Sequence, residues 1–170
     1  MASGPIRIEG DIAYVPLTKG YEAVIDAADV PLVEGKNWRA LEARRPDGSL
    51  RTVYAVRSGG VYMHRVLMSA PDGMDVDHKD GDGLNCRKRG SVGNLRLTSR
   101  SQNLRNSRCH FDNASSAKGV CWHGASRKWM ARIRADDRDN YIGIFRCKAA
   151  AQIAYAKESQ RLHGAFGRVA

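Results

Sequence analysis

Asp77-His78-Lys79-Asp80-Gly81-Asp82-Gly83, followed by Asn94-Leu95-Arg96 and then by Gln102-Asn103-Leu104-Arg105-Asn106, is the stretch that decides how the middle of this chain folds. Asp75-Val76-Asp77-His78 reads as a strand, and Asp80-Gly81-Asp82-Gly83 as the tight turn that ends it. A basic, glycine-bearing loop follows from Leu84 to Gly93, and Asn94-Leu95-Arg96-Leu97-Thr98 then alternates as a second strand. Ser99 with Gln102 three residues later is a capping-box signature, so a helix starts after Ser99 and carries Asn103 in its first turns. The order is strand, loop, strand, helix, which turns Asn103 back towards the strand that bears Asp77.

A carboxylate beside an imidazole, joined by an amide from a helix, is equipment for holding one divalent cation and activating one water. The Asp77 carboxylate and the Asn103 amide oxygen are hard ligands that suit Mg2+, or Mn2+, better than Zn2+. Side chains alternate across a strand, so Asp77 and His78 reach one site only if the strand bends or ends between them and the glycine turn. Asp80, Asp82 and Gly83 resemble part of a calcium loop. That reading fails because the loop has no Glu at its last position, and Arg87-Lys88-Arg89 intrudes where carboxylates belong.

Upstream, Ile6-Arg7-Ile8, Ile12-Ala13-Tyr14-Val15-Pro16-Leu17 and Thr52-Val53-Tyr54-Ala55-Val56 are short, β-branched or aromatic runs separated by glycine-bearing turns. Asp26 to Val33 reads as a helical turn or short helix. This first segment shows no catalytic pattern and is expected to be a small β scaffold. Val61 to Met68 is apolar with His64-Arg65 embedded and reads as a short buried helix; a lone histidine in such a stretch is more often a satisfied core or supporting group than a ligand, the alternative being that one of the pair touches a phosphate or braces the site.

Charge narrows the class of partner. The net charge is +10, yet residues 1–59 carry eight Lys/Arg against eight Asp/Glu, and residues 115–170 carry eleven against four. From Cys86 to His110 there are seven arginines and lysines and no carboxylate. Such asymmetry favours a polyanion. No stretch joins these basic residues to a strong apolar helical face, which argues against a membrane surface. The chain has no membrane-length apolar run, and its start lacks a secretory pattern, so a cytoplasmic protein is expected. Cys86, Cys109, Cys121 and Cys147 form no Cys-x-x-Cys pair and read as ordinary reduced thiols. A structural zinc site from Cys86, Cys109 and His110 is the weaker alternative.

These residues resemble the HNH endonucleases, particularly the phage and intron-encoded branch, whose motif runs Asp-His, Asn-Leu-Arg, Asn-x-x-Asn. The resemblance covers roughly Val61 to Asn106, and His64-Arg65 matches a His-Arg pair usual upstream. It implies a ββα-metal core in which His78 is the general base and Asp77 with Asn103 holds the metal, Asn106 being the alternative ligand. Asn94 would orient the His78 ring by hydrogen bonding to the backbone across the hairpin. Cys86 to Gly93 looks like an insertion relative to this family, and its Arg87-Lys88-Arg89 either contacts phosphates or forms a flexible loop. Arg96 and Arg105 are further candidates for DNA contact.

The last third reads as three strands, around Lys118 to Trp122, Lys128 to Arg134 and Tyr141 to Phe145, followed by a helix from Ala149 to Leu162. From Ser115 to Arg168 it resembles the plant ethylene-response-factor type of DNA-binding domain. That resemblance implies a sheet in the major groove, with Arg132 and Arg134 contacting DNA and Lys118, His123 and Arg127 nearby. Trp122 and Trp129 either touch the sugar-phosphate surface or pack between sheet and helix. Ala150, Ala151 and Ala154 are packing residues, and Tyr155 a capping aromatic. Cys121 and His123 stand where plant members place arginines, so their base preference does not transfer.

The expected whole is an α+β protein: a β-rich scaffold over 1–60, a nuclease core over 61–110 and a DNA-binding module over 115–170. It implies a metal-dependent endonuclease acting on double-stranded DNA as monomer or homodimer, nicking or cutting both strands, and encoded by a phage or mobile element. The other class is a DNA-binding regulator whose HNH fold is inert.

Overall fold

The computed structural model describes residues 4–90, 93–107, 109, 113–135 and 138–167. His110, part of the zinc alternative, and Arg168, the expected end of the last module, lie outside the described residues. The chain divides into two compact units, Met1–Arg100 and Ser101–Ala170. It is a mixed helix-and-sheet protein built on small antiparallel sheets, in agreement with the α+β expectation.

In the first unit, β1 (Arg7–Glu9), β2 (Ile12–Pro16) and β3 (Glu22–Asp26) form one antiparallel sheet in that order. Alternation buries Ala13 and Val15 of β2 and Ala23 and Ile25 of β3, as a one-sided sheet requires. The short helix α1 (Val30–Val33) follows and buries Val33. A second sheet joins β4 (Arg39–Arg44), β5 (Leu50–Arg57) and β6 (Val61–Tyr62). Local sequence signals point to neither β3 nor β4. β4 is Arg-Ala-Leu-Glu-Ala-Arg, all good helix formers, and takes the strand form because it pairs with β5 along its whole length. β3 runs directly into the helical signal that starts at its last residue, Asp26.

Next come α2 (Met63–Leu67) and the hairpin of β7 (Asp75–His78) with β8 (Leu95–Thr98), and α3 (Arg100–Asn106) begins one residue after Ser99. Ala13, Val15, Ile25 and Trp38 share one core with Met63, Leu67, Val76, Cys86 and Leu95. Residues 1–60 and the motif-bearing hairpin therefore have a common interior. Trp38, almost fully buried, donates its indole N–H to the Val33 carbonyl at 2.9 Å.

In the second unit, β9 (Val120–His123), β10 (Lys128–Ala135) and β11 (Arg138–Phe145) form an antiparallel sheet with β10 at its centre. The helix α4 (Lys148–His163) packs on it through Ala151 and Tyr155, which join Val120, Ala131 and Ile133 in the core. Tyr155, expected to cap this helix, is a core residue. Its ring lies so close to Gly119 that a Cβ there would sit 2.1 Å from it, and Gly119 also has a positive φ of 68°. Glycine alone meets both conditions.

Candidate active site

β7 ends at His78, and the chain turns at once, with Gly81 N–H donating to the His78 carbonyl at 2.9 Å and Gly81 at φ 77°. Asp80 and Asp82 fold back on this turn: Asp80 Oδ1 accepts from Asp82 N at 2.8 Å, and Asp82 Oδ1 from Leu84 N at 3.0 Å. Both carboxylates thus satisfy local backbone donors. Asn94, only 4% exposed, fastens the far side. Its Oδ1 accepts from Asp80 N at 3.0 Å, while Nδ2 donates to Asp80 Oδ1 at 2.9 Å and to the Asn85 carbonyl at 2.7 Å. The Asn94 side chain fixes the turn two residues past His78.

Asp77 faces Arg96, its cross-strand partner in the β7–β8 register. Nε and Nη2 of Arg96 both donate to Asp77 Oδ2, at 2.8 and 2.6 Å, with both side chains largely buried. Arg96, expected at the DNA surface, is occupied in balancing the site's carboxylate. A buried carboxylate oxygen and a primary amide oxygen fit Mg2+ or Mn2+ by donor type. Among the described residues no cluster of three or more His, Cys, Asp or Glu forms a cation cage. Mg2+ needs none, since it retains waters and gathers phosphate oxygens.

His78 is buried at 7% exposure and stands in a cluster the motif does not announce. The His64 ring lies edge-on to it with centroids 4.9 Å apart, Tyr54 is 6.0 Å away, and Cys86 Sγ is 3.9 Å from Nε2. Tyr62 lies 5.2 Å from His64 and 5.8 Å from Tyr54. Burial lowers the His78 pKa, opposed by the charges of Asp80, Asp77 and Asp82. His64 is pushed down to about 3 by burial, then by His78 and Arg65, and its Nδ1 has no hydrogen-bond partner among the described residues. The Cys86 thiol is pushed up to about 12 by burial and by Asp82 and Asp80, so it is an un-ionised packing group. Arg65 donates to the carbonyls of Met74, Ala70 and Pro71 at 2.7, 3.3 and 3.1 Å, which makes it a brace for the 69–74 loop.

In the basic loop after the turn, Arg87, Lys88 and Arg89 each have partners in the first unit. Asp26 Oδ2 accepts from the backbone N–H of Lys88 and Arg89 at 2.9 and 3.0 Å, and its Oδ1 from Arg87 Nε at 3.4 Å. Asp29 pairs with Lys88 and Arg89 at 3.2 and 3.0 Å. Cys86 N–H donates to the Val24 carbonyl, and the Arg87 carbonyl receives the N–H of Asn94 and Leu95. Arg87-Lys88-Arg89 thereby latches the start of β8 to the first sheet.

Within the second unit, Asn103 lies partly buried on α3 and Asn106 is buried at its end. Lys118 Nζ donates to the carbonyls of Arg105 and Ser107, at 2.5 and 2.7 Å, and so closes the C-terminus of α3. His123 Nδ1 is 2.8 Å from Ser126 Oγ within its turn. Arg132 and Arg134 are exposed and alternate with buried Ala131, Ile133 and Ala135, and Arg127 has φ 50° in the turn before β10. Trp122 is 53% exposed and meets the partly buried Trp129 edge-on at 5.3 Å.

Residues 61–105, from β6 into α3, match the HNH endonuclease family. The chain belongs to that family, a membership that points to a nuclease and hence to a protein expected to bind DNA. Among curated relatives, it is 30% identical to Protein 3.8 of Escherichia phage T7 over 100 residues, which span 58% of this chain and 77% of that protein. No solved structure matches the chain.

Proposed function

We propose that this chain is a metal-dependent DNA endonuclease whose reacting groups stand at the end of β7, with Asp77 and Asn103 holding Mg2+ or Mn2+ and His78 as general base. The observation that carries this reading is a buried, largely neutral imidazole at the end of the strand whose preceding residue is a buried carboxylate. A neutral imidazole has a lone pair with which to accept a proton from water. The bound cation would supply positive charge to the scissile phosphate and the leaving oxygen. Asn94 holds the turn after His78 so that the ring keeps one position, and His64 and Cys86 wall it in.

The second unit supplies DNA affinity as an ethylene-response-factor-type module. Its three-stranded sheet backed by one helix supports this, as do Arg132 and Arg134 on the exposed side of β10. A protein of this kind acts in the cytoplasm of a bacterial or phage-infected cell, and one site per chain makes nicking by a monomer the default, with a dimer needed for paired cuts. No helix among the described residues is long and apolar enough to cross a membrane.

One observation favours the second reading, a DNA-binding protein with an inert site: Arg96 already neutralises Asp77. Supercoiled plasmid incubated with Mg2+ or Mn2+ separates the two. The nuclease converts it to nicked or linear forms, and His78→Ala slows the reaction by at least about 100-fold, the usual contribution of a general base. Absence of cutting with either metal selects the binding protein, and cutting unchanged in His78→Ala removes that residue from the chemistry.

A further inference from the structure

The family match begins at residue 61, yet the wall of the site is completed by a residue before it. Tyr54 stands on β5, where Val53 and Ala55 belong to the core and Tyr54 packs instead beside the motif's turn. Thr52 Oγ1 accepts from Gly83 N at 3.2 Å, which fastens that turn to β5. A Cβ on Gly83 would sit 2.6 Å from the Tyr54 ring and 2.4 Å from the Val53 carbonyl, so the last glycine of the motif leaves room for this ring. His78, His64 and Tyr62 surround the ring at 6.0, 5.8 and 5.8 Å. These neighbours fix its plane, while part of the residue stays exposed.

We propose that Tyr54 is a substrate-contacting residue of the nuclease site, its phenolic O–H donating a hydrogen bond to a phosphate oxygen of the strand held at His78. The surroundings keep the phenol in its donor form. Burial raises the Tyr54 pKa, Arg51 opposes this, and the nearby Tyr62 and Asp77 add to it. The phenol remains protonated at neutral pH and serves as neither base nor nucleophile. The ring's place beside His78, and within reach of the Asp77 charge, puts it next to the proposed metal-binding carboxylate, where phosphate oxygens would gather. A phenol held rigid by packing loses little entropy when it makes such a bond.

This inference rests on the nuclease reading, and the test keeps the two apart. Tyr54→Phe removes one oxygen and keeps the ring that packs on Gly83, so the full-length variant retains the wild-type melting temperature. With Mg2+ or Mn2+ and enzyme in excess over duplex DNA, the single-turnover cleavage constant falls about tenfold, the scale of one hydrogen bond to a charged acceptor. Affinity for DNA measured in EDTA stays within about twofold, because the other phosphate-binding groups are untouched. Wild-type cleavage with an unimpaired Tyr54→Phe overturns the inference alone. A lowered melting temperature accompanying the slower cleavage also overturns it, since that assigns the hydroxyl to structure. A wild type that does not cut overturns the nuclease reading and this inference together.

Discussion

His64 sits in an environment far from that of a free side chain: an imidazole at 9% exposure, pushed down to about 3, with Nδ1 unpartnered among the described residues. In the unfolded chain the same ring binds its proton near pH 6.5. Between those values the unfolded state holds more protons, so stability is complete above about pH 6.5 and is lost progressively as pH falls towards 3. From pH 7 to pH 5 the loss attributable to His64 is about 2 kcal/mol. Urea unfolding of wild type and His64→Gln at the two pH values measures it, and the variant should show a shallower acid dependence. At this scale the sequence is legible wherever side-chain chemistry announces itself. Asp77, His78 and Asn94 stand out as candidates because an Asp-His pair followed by an Asn-Leu-Arg run is a specific pattern, and the structure gathers them around one turn. The places of Arg96 and Tyr54 beside them are not legible. The first is tied to Asp77 by a strand register, and the second arrives from an upstream strand, a relation carried by packing alone.

The loop Cys86 to Gly93 shows the same division among elements. As sequence it is a basic insertion with two plausible fates, phosphate contact or mobility, because nothing local names a partner for Arg87, Lys88 and Arg89. The partners are Asp26 and Asp29, both nearly inaccessible to solvent, at the end of β3 and just beyond it. Removing one side of a buried charge network leaves the other side unpaired, which is the costly outcome. Asp26→Ala strips acceptors from two backbone N–H groups and from the Arg87 guanidinium, and should destabilise the first unit by about 3 kcal/mol in equilibrium urea unfolding. β4 makes the complementary point. Its helix-forming composition misleads any local reading, and only pairing with β5 decides its form. By contrast, β7, β8 and α4 match their sequence expectations to within a residue or two, since alternation and helical spacing are local signals.

Across the whole molecule, the excess of basic residues towards the C-terminus is displayed where β10 turns Arg132 and Arg134 outward, while Arg96 and Lys118 are engaged with internal partners. Charge asymmetry therefore guides the choice of partner class far better than it identifies the side chains that meet that partner. Replacing Arg132 and Arg134 together by alanine should weaken duplex binding at low salt and reduce the slope of log affinity against log salt by roughly two, about 0.9 for each phosphate no longer neutralised. Fluorescence anisotropy across a salt series gives both quantities, and an unchanged slope would remove this strand from the DNA surface. The latch of Asp26 on residues 87–89 has a temporal side as well. Its partners are separated by 61 to 63 positions, and closing that loop is easier if one partner is already ordered. A ribosome delivers Asp26 63 residues ahead of Arg89, so the latch that anchors the hairpin bearing Asp77 and His78 closes only after the whole of β1 to β3 has been synthesised.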